Sequence, residues 1–530
     1  MSSINREIGA RYDDLPYGSY AYPHSAPEQL AAVAALFGVP APDVAKARVL
    51  ELGGASGGNL IPFALRHPQA NAVGVDISRV QVEEGRKYLA RLGAGNVSLI
   101  EADFLELDPQ SIGKFDYIIA HGVYSWVSPE AQEAVMRIIK DCLLPDGVAF
   151  VSYNTYPGWK AKEVLRDAML MHGGTQRSAQ EQVAYGRAMI GFLQKVSLKG
   201  GLTAAALNEN SRQIMESPVS YVAHDYLEPY NLPCYFHEFL ERAGRHGLAY
   251  MAEAQPSMMM PSNYGQDLAQ QLYGALGEDQ VRVEQYLDFA ISRSFRQTLL
   301  LHAERATALS GRLDKAALVS MHFAARLSSV DGEMTFDGRP QDFAEAKSAR
   351  RISASLSAIK RAIEFLANRW PGTATRDELI DYARENQGDN DAVSPEVMSK
   401  AIDELLEILV IRGMVRIRLA AVAAGTDGDG LEIDPLVRQQ VAALAPGQNH
   451  VANVWHDSVD IGDVERLLYP AMDGSRERND LLALVSHALH ERNIPEAEAG
   501  TSGSMEGRAD RVLEAALARL GESAVLSRLA

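Results

Sequence analysis

The sequence predicts an α/β fold. A parallel sheet covers roughly residues 48–154, a helical middle region follows, and a winged-helix-like domain lies toward the C-terminus. Three observations predict this. Short apolar strands alternate with amphipathic helices in the first third of the chain. Four glycines fall within six positions between the first strand and the first helix. After Asn154 the strand signals thin out while helical spacing continues. Such alternation implies a sheet covered on both faces, whose ligands sit outside the carboxyl ends of its strands.

VLELG (49–53) reads as the first strand and NLIPFALRHP as its helix. AVGVD (72–76) is a second strand, followed by the helix SRVQVEEGRKYLARLG. VSLIEAD (97–103) and FDYIIAHG (115–122) are the third and fourth strands. The helix PEAQEAVMRIIKDCLL (129–144) and the strand GVAFVSYN (147–154) complete the unit. Residues 157–230 read as helices, with a glycine break at Lys199-Gly200-Gly201. CYFHEFLERAGRHGLAYMAEA (234–254) reads as a helix and then a strand able to return to the sheet. Residues 265–326 read as helical, and 330–343 as a hairpin and loop. Residues 354–418 follow a helix-helix-helix-strand order, AAGTDGDG (423–430) is a linker, and 495–510 is a loop. The expected divisions are a catalytic core at 1–160 (with 234–262 returning to it), a helical insertion at 161–233, a helical middle or regulatory domain at 263–348 and one or more winged-helix-like domains at 349–530.

Bulk properties narrow the function. With 51 basic against 69 acidic residues the formal charge is −18, which disfavours nucleic acid and anionic lipid. The helix expected at 395–413 carries Glu396, Asp403, Glu404 and Glu407 against Lys400 and Arg412, a poor major-groove reader. Cys142 and Cys234 lie in apolar contexts, which argues against a disulfide framework or a cysteine metal site. The expected compartment is therefore reducing and cytoplasmic. No run approaches the ~18–20 apolar residues of a membrane span. No metal ligands are singled out.

The glycine turn admits two cofactor readings. Gly53, Ala55 and Gly58 fit a G-x-A-x-x-G dinucleotide pattern, and Asp76 closes the second strand. Alternatively, Glu51-Leu-Gly53-Gly54-Ala55-Ser56-Gly57 fits the S-adenosylmethionine (SAM) pattern E/D-x-G-x-G-x-G, with alanine at the middle glycine. Glu51 decides between them: an acid there suits an amino group and repels pyrophosphate. Asp103-Phe104 at the end of strand three adds an acid and an aromatic ring, suited to an adenine. Acids end three successive strands, and SAM is the expected cofactor.

The runs YDDLPYGSYAYPHSAPEQLAAVAALFG, ELGGASGGNLIPFA, GVDIS, FDYIIAHGVYSWV and VSYNTYPGW together resemble class I SAM-dependent methyltransferases with a methyltransferase regulatory domain. That group includes rickettsial protein-lysine methyltransferases of outer-membrane protein B. The resemblance continues through YVAHDYLEPYNLPCYFHEF and into NHVANVWHDSVDIGDVERLLYPAMDGSRERNDLL (449–482). It implies a Rossmann-like sheet and SAM contacts from Glu51, Gly53, Gly54, Gly57, Asn59, Asp76, Ile77, Asp103, Phe104 and His121. Gly54 stands where the family often has cysteine, and Tyr-Pro-His-Ser-Ala-Pro (22–27) replaces a more threonine-rich stretch.

For the acceptor, the loops after strands four and five offer Tyr124, Trp126 and Asn154 as catalytic residues. The two aromatics would wall an amine channel, and Asn154 would accept from the amine. Tyr17, Tyr20 and Tyr22 would close the site as a lid; His224 and His237 read as packing residues. The expected function is methyl transfer to a protein side chain, with lysine Nζ preferred and a homodimer as a candidate assembly. The alternatives are methylation of another peptide side chain or a natural product, and SAM binding without turnover. The half of the chain beyond roughly Gly265 offers no site residue, so removing 350–530 is expected to leave SAM binding intact.

Overall fold

The computed structural model describes residues 3–174, 177–309, 311–345, 350–388, 393–423, 432–491 and 504–528. Its centre is a seven-stranded sheet of β1 (Arg48–Leu52), β2 (Asn71–Asp76), β3 (Val97–Glu101), β4 (Phe115–Ala120), β5 (Leu143–Asn154), β6 (Leu248–Glu253) and β7 (Phe295–His302). The strand order is β3-β2-β1-β4-β5-β7-β6. The first five strands run parallel, and β7 lies antiparallel between β5 and β6. The order reverses between β1 and β4, which is where an open α/β sheet presents its ligand crevice. Val49, Leu50, Tyr117, Ile118 and Phe150 are fully buried, as central parallel strands covered on both faces require.

Local chemistry fixes the helices that position the site. α1 (Ser3–Asp14) and α2 (Pro27–Leu36) precede the sheet, α3 (Leu60–Arg66) follows the glycine turn, and α4 (Arg79–Leu92) follows β2. Ser78 caps α4 by accepting the Gln81 N–H, and Gly93 ends it in the left-handed conformation at φ +68. α1 docks on the start of α4: Asp13 Oδ1 accepts from Ser78 Oγ at 2.7 Å and from the Val80 N–H at 3.1 Å.

The return of residues 234–262 to the sheet is observed as β6. The helical expectation for 265–326 holds for the α-helices Gln266–Leu276 and Gln280–Ile291 and the 3₁₀ helices Ala303–Ala308 and Lys315–Ser320, and fails where Phe295–His302 forms β7 and His322–Ala324 a short strand. The short apolar run Thr298-Leu299-Leu300-Leu301 has no decisive period, and pairing with β5, distant in sequence, settles it. Arg296 on β7 is buried against Glu253 (2.7 Å), Glu284 (3.0 Å) and Asp288 (2.8 Å), so its charge is neutralised. The middle region 263–348 is thus not a separate helical body.

The helix order of 354–418 appears as Ser357–Arg369, Arg376–Glu385 and Pro395–Arg412, followed by the strand Arg416–Arg418. Leu366, Leu406 and Leu409 of this unit share one apolar core with Val49, Tyr117 and Phe150 of the sheet. The final unit has a core of its own around Ile433, Val437, Leu468, Val485 and Leu513. The C-terminal region 349–530 comprises two units, of which the first shares its core with the sheet. Ser504 caps a helix, Met505–Glu522, inside the stretch expected to be a loop. The rest of that loop, 495–503, and residues 424–430 of the expected linker lie outside the described residues.

Candidate functional site

A cavity of about 400 Å³ opens at the carboxyl ends of β1 to β4. Nine of the ten residues expected at a cofactor line it: Glu51, Gly53, Gly54, Asn59, Asp76, Ile77, Asp103, Phe104 and His121. Gly57 does not. Its φ of +82 serves the turn, and an added Cβ would meet Ile61 at 2.9 Å beneath the wall. Gly53 has the sharper constraint: φ is +77, and a Cβ there would stand 2.1 Å from Val123 Cγ2.

The acids differ in how they are satisfied. Glu51 Oε1 accepts from Asn59 Nδ2 at 2.8 Å, whereas Oε2 is buried without a partner. Burial, with help from nearby Asp76 and against the Asn59 hydrogen bond, pushes Glu51 up to about 7. Asp76 accepts the Ala55 N–H on Oδ2 (2.8 Å) and the Ser78 N–H on Oδ1 (2.9 Å), while burial raises its pKa. Each of its oxygens keeps a lone pair for a ligand. Asp103 Oδ1 accepts the Leu105 N–H at 3.0 Å beside the ring of Phe104. His121 Nδ1 pairs with Ser152 Oγ at 3.2 Å, and burial lowers its pKa to about 4. A ring neutral at pH 7 shapes the wall and carries no charge there.

The N-terminal segment closes over the turn. Tyr17, Tyr20 and Tyr22 all line the cavity. Ser19 Oγ accepts the Gly58 N–H at 2.7 Å, and the Tyr22 N–H donates to Asn59 Oδ1 at 2.9 Å. A Cβ on Gly58 would come within 2.3 Å of the Ser19 carbonyl, so this glycine lets the lid seat.

The acceptor expectations divide. Trp126 and Asn154 line the cavity, and Asn154 Nδ2 donates to Asn231 at 3.1 Å. Tyr124 does not reach it. Its ring is buried edge-on to Phe239 at 5.4 Å, and its hydroxyl hydrogen-bonds Arg242. The cause is the short 3₁₀ turn Tyr124–Trp126: with three residues per turn, positions two apart face different sides. His237 packs against Gln285 as expected. His224 was expected to pack, yet it lines the wall, locked between Glu228 (2.6 Å) and the Leu15 carbonyl (2.6 Å).

Sequence reasoning missed Lys162 and Asp225, both on the cavity wall. Lys162 Nζ stands 4.7 Å from the ring centroid of Trp159, and burial lowers its pKa. Asp225 is raised by burial and hydrogen-bonded to Tyr221. Both come from the helical insertion, and no local pattern ties them to the carboxyl ends of the strands.

Comparison with known proteins matches this architecture. Residues 50–149 match a methyltransferase domain, 218–302 a predicted methyltransferase regulatory domain, and 432–525 the C-terminal winged-helix domain of PKMT. An uncharacterized protein of Rickettsia prowazekii, RP028, is 37% identical over 234 residues, which is 44% of this chain and 93% of that protein. The chain belongs to this methyltransferase family. Another uncharacterized R. prowazekii protein, RP789, is 40% identical over 293 residues, 55% of this chain; the match spans about half (52%) of that protein's length. The structure of PKMT2 from Rickettsia typhi in complex with AdoHcy superposes with a TM-score of 0.84 at 25% identity, covering 97% of this chain and all of that one. The winged-helix match falls on the final unit, not on 354–418, where the helix order alone suggested it. Among the described residues no helix is long and apolar enough to cross a membrane.

Proposed function

We propose that this chain is a SAM-dependent methyltransferase whose acceptor is a lysine Nζ on a protein. The observation that carries the acceptor is Lys162: the cavity already holds a lysine amine 4.7 Å from the Trp159 ring centroid, on the same wall as Asp225. A wall that accepts one such side chain suits another.

The other half of the cavity fits the cofactor on its own chemistry. The buried, unpartnered Glu51 Oε2 suits an ammonium, the two oxygens of Asp76 suit a pair of hydroxyls, and Phe104 offers an apolar face to a flat ring. Bound SAM supplies an electrophilic methyl group. The protein's tasks are to exclude water, aim the amine and dispose of its proton. Tyr17, Tyr20 and Tyr22 cover the site, and alignment at attack distance is worth roughly 7–11 kcal/mol. Asn154 has its Nδ2 committed to Asn231, and no described residue donates to its Oδ1, which is thus available to orient an amine N–H. Desolvation favours the neutral, nucleophilic amine, as it does at Lys162. Asp225, raised by its own burial, is the base placed to take the proton.

The same reading makes the catalytic body residues 1–160 with the returning strands, completed by Lys162 and Asp225 of the insertion, and assigns the C-terminal units to gripping a protein substrate. Phe192 and Leu198, exposed on the insertion, support a second copy as its partner. The buried thiols Cys142 and Cys234 support a cytoplasmic setting. Incubation with methyl-labelled SAM and bacterial protein extract, followed by mass mapping, tests the acceptor. Label on lysine Nζ is expected; label confined to other atoms, or none despite SAM binding, overturns it.

A further inference from the structure

The stretch NHVANVWHDSVD (449–460), far from the catalytic sheet in sequence, forms a hairpin of strands His450–Ala452 and Ser458–Asp460 in the final unit. Its tip is tightly built. Asn453 Oδ1 accepts the N–H groups of Trp455 (2.8 Å) and Asp457 (2.9 Å), and Trp455 Nε1 donates to the Pro371 carbonyl at 2.9 Å. Held this way, His456 adopts φ +62, the left-handed conformation that side chains other than glycine rarely take. Such an outlier invites the question of what its side chain does.

The answer is at the cofactor acid. His456 is buried, and its Nε2 lies 2.9 Å from Asn59 Oδ1. That oxygen also receives the Tyr22 N–H at 2.9 Å; Ser25 Oγ stands 3.3 Å from it, with its one proton nearer the Tyr22 carbonyl at 3.0 Å. A backbone N–H can only donate, so the Asn59 atom facing Tyr22 is the oxygen, and its NH₂ faces Glu51 Oε1 at 2.8 Å. His456 therefore donates through Nε2. Two N–H donors, from His456 and Tyr22, hold one amide, and that amide holds one oxygen of Glu51, while Oε2 is buried without a partner.

We infer that His456 is a positioning residue for the cofactor: through Asn59 the winged-helix unit sets the carboxylate of Glu51. The inference rests on reading the Glu51 cavity as the SAM site. It also reverses the sequence expectation for residues 350–530, since a chain lacking them would lose this donor.

S-adenosylhomocysteine affinity, measured by calorimetry on the full chain at matched folded fraction, provides the test. His456→Ala should weaken binding about five- to tenfold, and His456→Gln, which keeps an N–H donor, should recover part of the loss. In a Glu51→Gln background, His456→Ala should add almost nothing, because both changes act on one contact. A purely structural role would instead give losses that multiply. Unchanged affinity in His456→Ala, or multiplying losses in the double variant, overturns the inference. A wild-type chain that fails to bind S-adenosylhomocysteine overturns the functional reading, and this inference with it. Tight binding without transfer to lysine overturns only the acceptor assignment.

Discussion

The two halves of the cavity are built in opposite ways. On the proposed reading, residues 51–104 supply most of the cofactor half: three consecutive strand ends, each with an acid, and one glycine turn. The acceptor half draws Tyr17, Trp126, Asn154, Trp159, Lys162, Asp225 and Phe295 from parts of the chain hundreds of residues apart. A local half is fixed by strand order and turn geometry alone. A dispersed half depends on how the lid, the insertion and the antiparallel strands seat against one another. The two should therefore fail separately.

The largest effect is expected at Glu51. Glu51→Gln removes a charged acceptor and should weaken S-adenosylhomocysteine binding by about 1.5–3 kcal/mol, read by calorimetry. Stability should move the other way. The folded pKa of about 7 lies above the usual 4.5, so burying this carboxylate costs nothing below pH 4.5. The cost grows between pH 4.5 and 7 and persists above. Glu51→Gln should accordingly stabilise the ligand-free chain at pH 8 by on the order of 2–3 kcal/mol, and leave it unchanged at pH 4. Thermal melts at the two pH values check this; equal shifts would contradict it.

Next comes Trp159→Ala, which strips an aromatic wall from the acceptor half. The kcat/KM for a lysine peptide should drop by roughly tenfold or more while S-adenosylhomocysteine affinity stays near wild type. Asp225→Asn sharpens the same half. If Asp225 takes the amine proton, kcat should fall about tenfold near pH 7 and recover as rising pH deprotonates the free amine. A loss independent of pH would assign Asp225 to packing alone. The smallest effect belongs to Tyr124→Phe. Its hydroxyl contacts Arg242 outside the cavity, so turnover and affinity should be unchanged and stability should fall by about 0.5–1.5 kcal/mol.

What the sequence disclosed follows the same division. Glu51, Asp76, Asp103 and the glycine turn were legible because an α/β unit places every strand end on one edge, so position along the chain maps onto position in space. Tyr124 was misplaced because its tight turn reverses its facing, which spacing from the strand end does not reveal. β7 was missed because three leucines in a row carry no period. Lys162, Asp225 and His456 reach the cavity only through tertiary packing, and His456 comes from the far end of the chain. Gly58 was read only as part of a dinucleotide pattern; its service to the lid needed the position of Ser19.

The separability of the two halves is the central claim, and one paired measurement bears on it most directly. S-adenosylhomocysteine affinity and peptide kcat/KM at saturating SAM are measured together for wild type, Glu51→Gln and Trp159→Ala. The structure predicts a crossed pattern: Glu51→Gln loses affinity and retains most of its turnover once saturated, and Trp159→Ala retains affinity and loses kcat/KM. If both variants lose both quantities in proportion, the cavity is a single coupled site and the division drawn from its construction is wrong.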